Sequence, residues 1–339
     1  MTASPAAATG SDSAQGGVLG GLRRFAFLGI VAEVALVAYL IGAYDVETRT
    51  FQRLMWVVLA GFVVHHALPL RLRLPFFAGL SLAVTTWALG LEEGRFAPAA
   101  GIARIAALAG IGGALIGIAR LPLRFAMRVA ILLAVGGALA WARVALSAPS
   151  ALVAIWPVLG AMFMFRLAVY LYDTEHDKKP PGLAQSIAYF FMLPNVAFTL
   201  FPVVDYKTFS RAHYPADALR IYQRGAQWMA RGLLQILLWR LVYYHVHLDP
   251  GRVRDGADLV QYAVSNVLLY LRVSGSFHLI IGILHLFGFA LPLANRRYFL
   301  ASSFNDYWRR VNIYWKDFIM KVVYYPITFR LKSWSNASK

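Results

Sequence analysis

The sequence predicts an all-α polytopic membrane protein with roughly 9–11 transmembrane or re-entrant helices. Three observations carry that prediction. The 339 residues are 59% hydrophobic and 14% charged, against about 45–50% and 25% in a soluble domain. The apolar residues gather into runs close to the ~20 residues that cross a hydrocarbon core. The arginines and lysines stand mostly at the ends of those runs, where anionic headgroups and the positive-inside bias put them. The lipid bilayer therefore accounts for the net charge of +17, and nucleic acid is not a predicted partner. With no cysteine in the chain, disulfides, thiolate metal sites and a cysteine nucleophile are excluded. There is no Walker loop, dinucleotide glycine pattern or zinc-binding His/Glu spacing.

In chain order, residues 1–22 are Ala/Ser/Gly-rich and lack the basic start of a secretory signal, so they read as a disordered cytoplasmic tail. Residues 23–150 read as N-terminal transmembrane helices, with runs at 25–44, 54–70, 74–91, 102–118 and 129–146. Residues 151–339 form the second half, beginning with a run at 151–172. With the N-terminus inside, alternate loops carry Arg23/Arg24, Arg71/Arg73, Arg120/Arg124/Arg128 and Lys178/Lys179. That charge bias favours a cytoplasmic N-terminus. No repeat of 20–50 residues is present, which argues against a solenoid.

After residue 172 the texture changes. The run 187–203 is interrupted by Pro194 and Pro202 and reads as broken or re-entrant, a form tolerated at membrane depth only under cover of protein or a cavity. The stretch 205–227 is amphipathic and rich in Tyr and Arg. Spans follow near 229–246, 259–271 and 277–293. His65 and His66 read as packing residues. Arg166, inside an apolar run, should face a cavity or snorkel. His278 and His285, seven apart, share a helical face, and an ionisable residue inside a membrane helix is a functional candidate.

The segment SSFNDYWRRVNIYWKDF, residues 302–318, is the most unusual in the chain. As one helix, its residues Phe304, Trp308, Val311, Trp315, Phe318 and Val322 share a face, flanked by Asn305, Arg309, Asn312 and Lys316. Pro326 ends or kinks that helix. The residues alone leave two readings open: a helix lying in the interface, or a catalytic or donor-binding helix.

FNDYWRRVNIYWKDFIMKVVYYP resembles the signature of the membrane-bound O-acyltransferase (MBOAT) family. It is most similar to the bacterial branch that acylates exported glycans, such as alginate O-acetyltransferases and D-alanyl transferases of teichoic acid. Three upstream blocks resemble the same family in the same order: LGAMFMFRLAVYLYD at 159–173, FFMLPNVAFTLFPVVDYKTF at 190–209 and SGSFHLIIGILHLFGFALP at 274–292. The resemblance implies an MBOAT-like core in the C-terminal half, with no permanently bound cofactor. It implies an acetyl-CoA-like acyl thioester as co-substrate and a hydroxyl of an exported glycan or similar acceptor. It also implies residence in a bacterial inner membrane.

The resemblance places Asn312 at a catalytic position where the glycan-acylating branch usually has His, with His285 and His278 as substitute bases. Trp308, Arg309, Arg310, Trp315, Asp205, Tyr206 and Arg166 would line the tunnel or hold the donor. The family's second histidine lies on a later hydrophobic helix. The residues after Pro326, ITFRLKSWSNASK, are basic and polar. The expectation is therefore either a fragment of the active enzyme or a catalytically incomplete subunit, serving a partner acyltransferase subunit as acyl channel or scaffold.

Overall fold

The computed structural model describes residues 9–92, 95–145, 153–175, 182–196, 203–329 and 331. Helix α1 (Thr9–Ala43) is followed by α2 (Arg49–Ala67) and α3 (Leu70–Leu89). A two-residue antiparallel pair, Leu91–Glu92 with Arg95–Phe96, leads into α4 (Pro98–Ala119) and α5 (Phe125–Ala145). Next come α6 (Ile155–Leu159), a π turn (Gly160–Met164), α7 (Phe165–Glu175), α8 (Leu183–Phe190) and α9 (Tyr206–Arg211). The chain continues through α10 (Ala218–His245), α11 (Gly256–Leu268), α12 (Tyr270–Leu286), α13 (Phe304–Val311) and α14 (Ile313–Ile319).

The chain is all-α among the described residues apart from the short strand pair. Among the described residues, five segments are long and apolar enough to cross a bilayer: Gly20–Ala43, Leu70–Leu89, Pro98–Ala119, Phe125–Ala145 and Gly256–Leu286. One buried cluster reaches from Ile30 in α1 to Tyr314 in α14. Residues at the predicted boundary of 150 and 151 lie outside the described ones, as do Pro202, Lys178 and Lys179.

Helix α1 starts at Thr9. One expectation is corrected here. The predicted spans 259–271 and 277–293 are one apolar stretch, Gly256–Leu286, with only Leu269 between α11 and α12. No Pro separates them. The helix ends at Phe287, before Gly288, whose φ of +86° only glycine adopts at ease. A Cβ there would also lie 2.3 Å from the Tyr214 ring.

The centre of the fold is the pair α10 and α12. Glycines seven apart on each helix meet across it. A Cβ on Gly232 would lie 2.6 Å from the Gly275 carbonyl, and one on Gly282 would lie 2.7 Å from the Gly225 carbonyl. The pairs run in opposite chain order, so the helices are antiparallel. Small residues allow this approach, which in lipid supplies packing that hydrophobicity alone does not. On α12, every residue from Phe277 to Leu286 is buried.

By contrast, α5 buries only Arg128, which donates to the Ala119 carbonyl at 2.8 Å and pairs with Glu175. Between α5 and the α6–α7 segment lies an apolar crevice of about 830 Å³, lined by Val129, Leu132, Leu139, Trp156, Phe163 and Leu167 among others.

Candidate functional site

Polar residues of three motif blocks meet where α7, α9 and the π turn Met320–Tyr324 come together. Asp173, almost fully buried at the end of α7, pairs with Lys321 and accepts the Lys207 backbone N–H at 3.1 Å. Asp205 caps α9 by accepting the Thr208 N–H at 2.7 Å, and it lies 3.7 Å from Lys321. One lysine thus faces two carboxylates drawn from separate stretches of chain. Tyr206 is buried edge-on against Tyr170 and Tyr189. Asp205 and Tyr206 therefore position this corner and are engaged with protein.

Arg166 neither snorkels nor faces an open cavity. It is 2% exposed. Its guanidinium donates to the Tyr189 and Phe190 carbonyls at 3.0 and 3.2 Å and to Asn195 Oδ1 at 2.7 Å. The end of α8 and the turn carrying Pro194 leave backbone carbonyls without helical partners. A buried cation with a fork of donors satisfies them. Buried donors of this kind are what a broken segment would need for cover at membrane depth.

The signature segment is not one helix. It breaks at Asn312, whose extended backbone (φ −148°, ψ 90°) ends α13 and starts α14. Asn312 Oδ1 caps α14 by accepting the Trp315 N–H at 3.0 Å. Asparagine is a preferred N-cap because its short side chain reaches a backbone donor, and that local bond competes with helix continuation. The cap uses the oxygen. The Nδ2 amide has no hydrogen-bond acceptor among the described residues.

The predicted shared face is therefore split. Trp315 packs edge-on against Phe165 and stacks on Phe318. Trp308 is 50% exposed and Phe304 78%. Arg310 bonds Asp306 at 2.7 Å, while Arg309 is exposed. That bond from Arg310, together with the Ser302 backbone N–H, holds the Asp306 carboxyl below the usual range. The segment docks on the chain after α12: Ile313 N–H donates to Ala294 at 2.7 Å and Tyr314 to Pro292 at 2.5 Å.

His278 and His285 lie in the α10–α12 interface. His278 Nδ1 is 2.7 Å from Gln235 Oε1, and its ring stacks on Trp228. His285 Nδ1 is 2.8 Å from the Ile281 carbonyl. A carbonyl oxygen accepts only, so Nδ1 of His285 carries the proton and Nε2 keeps its lone pair in the neutral ring. Among the described residues, no hydrogen bond links either histidine to Asn312.

Sequence reasoning missed a second polar cluster. His65 is fully buried, with Nδ1 3.4 Å from the Tyr214 hydroxyl. That hydroxyl is 2.6 Å from the Tyr222 hydroxyl, which Arg73 approaches at 3.3 Å. The ring of His213 packs against Tyr214 and Phe289. Burial first, and then the Arg73 charge, pull its pKa down to about 4. The signal available in sequence was an Arg, two Tyr, the adjacent His65–His66 pair and His213 beside Tyr214. Only tertiary contact joins residues so far apart in the chain.

Among the described residues, no group of three or more His, Cys, Asp and Glu is arranged to hold a metal ion. Compared with known proteins, the chain matches no family model and no curated protein. Fold and site together define an all-α chain with membrane-length apolar helices and a buried polar corner in its C-terminal half.

Proposed function

We propose that this chain is a membrane-embedded acyltransferase of MBOAT type, with its catalytic core in the C-terminal half of a 9–11-helix assembly. It moves a short acyl group from a thioester donor to a hydroxyl of an exported glycan or similar acceptor. The bilayer is a bacterial inner membrane, with the N-terminus cytoplasmic. One observation carries this reading. Three of the motif blocks that resemble the family converge at the Asp173–Lys321–Asp205 corner, and the fourth block's end holds the signature helices through Pro292 and Tyr314.

Within that reading the chemistry divides as follows. Asn312, oriented by its own cap, presents Nδ2 as a donor to the acyl carbonyl and to the oxyanion that develops from it. It is not a base. His285, with Nδ1 held by Ile281, has Nε2 available for the acceptor's proton. The acyl C–S bond breaks and an ester C–O bond forms. The hydroxyl proton passes through the imidazole to the thiolate leaving group. Exposed Arg309 would meet a phosphate of the donor.

A second reading, a catalytically incomplete acyl channel or scaffold for a partner acyltransferase subunit, is favoured by one observation. His278 and His285 both sit in the tight helix interface, where Gly225 abuts the His285 Cβ.

Thioester-dependent acyl transfer in membranes separates the two. Asn312→Asp retains a capping oxygen but loses the amide donor. It should lower kcat about 100-fold or more with the melting temperature little changed. His285→Gln should lower kcat without raising KM. Absence of turnover in the wild type with every thioester tried would leave the scaffold reading standing.

A further inference from the structure

At one end of the bundle, α1, α2 and the start of α10 enclose a pocket of about 370 Å³, lined by Arg23, Arg24, Phe27, Leu28, His66 and Leu219. Its parts are fixed by their neighbours. Arg23 is tied to Asp217, the residue before α10, at 2.5 Å. The His66 ring stacks on Phe27 with centroids 3.8 Å apart and meets Tyr222 edge-on. That clamp leaves His66 Nδ1 buried, with no hydrogen-bond partner among the described residues. Arg24 likewise has no ion-pair partner among them. Behind His66, its carbonyl accepts from Arg73 at 2.9 Å, which adds positive charge to the same wall.

A clamped imidazole nitrogen without a partner, beside an unneutralised guanidinium, is a site short of an anion. Its depth narrows the choice. Arg23 and Arg24 lie near the start of the membrane-length segment Gly20–Ala43, at headgroup level. Below them the surface of α1 is apolar, with Leu28, Leu36 and Tyr39 all exposed on one side. A free phosphate compound has no use for that stripe, whereas an acyl chain does.

We infer that the Arg23–Arg24–His66 pocket binds the phosphodiester headgroup of an anionic phospholipid, whose acyl chain lies along the Leu28–Tyr39 side of α1. Arg24 and the remaining N–H groups of Arg23 hold the phosphate oxygens. His66, protonated at Nδ1, donates to the same group. The bound lipid stitches α1 to α2 and α10.

The test uses the purified full chain in detergent, stripped of lipid and titrated with dioleoylphosphatidylglycerol or dioleoylphosphatidylcholine. Native mass spectrometry reads bound lipid. The expected result is a first phosphatidylglycerol held about tenfold or more tighter than phosphatidylcholine. Arg24→Ala and His66→Ala should each remove most of that preference. Arg24→Lys, which keeps the charge but loses the fork, should retain more of it than Arg24→Ala. Arg124→Ala, an exposed cation on another loop, should leave it unchanged.

Three results would overturn the proposal. One is equal binding of the two lipids by the wild type. Another is a loss with Arg124→Ala as large as with Arg24→Ala, which would mean unspecific surface attraction. The third is displacement of the lipid by 10 mM inorganic phosphate (roughly the ceiling of a free-anion site), which would assign the pocket to a soluble phosphate compound. Circular-dichroism melts check folding, and Arg24→Gln, which keeps the stem, replaces Arg24→Ala if the latter unfolds.

Discussion

Helices α5 and α12 look alike as strings of apolar residues and live in opposite surroundings. Both belong to segments of membrane length and hydropathy. Yet α5 buries Arg128 alone, while α12 buries an unbroken run from Phe277 to Leu286. Lipid is as apolar as leucine, so hydrophobicity does not say which helix faces the bilayer and which faces protein. The glycines carry that information. A Cβ on Gly136 or Gly137 of α5 would meet nothing within 4 Å, whereas one on Gly275 or Gly282 of α12 would lie closer than 3 Å to a backbone carbonyl.

The sharpest way to break the comparison is to enlarge one glycine in each region. Gly232→Leu drives a side chain into the Gly275 carbonyl and should cost roughly 3 kcal/mol or more, seen as loss of the folded species in detergent unfolding. Gly136→Leu meets open space and should fold normally. If both behave alike, the two environments are not as different as their contacts imply.

The next largest effect falls on the buried cation. Arg166→Met leaves two carbonyls and Asn195 Oδ1 without their donor and should cost about 2–3 kcal/mol, read as a lowered unfolding midpoint. Arg143→Met, on the exposed side of α5, should stay within about 0.5 kcal/mol.

A pH series gives a smaller change. His213 has a folded pKa of about 4, below the ~6.5 of an unfolded chain. Between those values the unfolded state binds more protons, so stability falls as pH drops from about 6.5 toward 4. The expected loss is up to about 2 kcal/mol, allowing for partial solvent screening. His213→Gln should flatten that stretch of the unfolding-midpoint curve.

The smallest effect has the opposite sign. Gly137→Ala, inside α5 and free of contacts, should stabilise by about 0.5–1 kcal/mol through helix propensity. A melting shift of the same sign for Gly275→Ala would erase the distinction between the helices.

Much of the fold was legible from local pattern. The apolar runs at 74–91, 102–118 and 129–146 became α3, α4 and α5 to within a few residues, because a long run and a helix share one periodicity. The break near Pro194 was legible too, since proline removes a donor wherever it stands. What stayed hidden depends on partners. Asn312 was placed mid-helix on a 3.6-residue face, and only its bond to Trp315 reveals a cap. Asp205 and Lys321 meet through the fold and not through any spacing. The His65–Tyr214–Tyr222–Arg73 cluster joins three helix ends and a loop that no window of sequence contains.

The meeting of Gly225 with Gly282 also sets a clock. Helix α10 carries Gln223, Arg224, Arg231, Gln235 and Arg240 and is not among the segments apolar enough to rest in lipid unaided. During synthesis it emerges before its cover. At about 5–20 residues per second, the ribosome needs several seconds to travel from Gly225 to Gly282. For that interval the Gln235 amide waits without His278 and the glycine seam lies open. A nascent chain stalled before α12 would present the insertion machinery with a helix it cannot yet release.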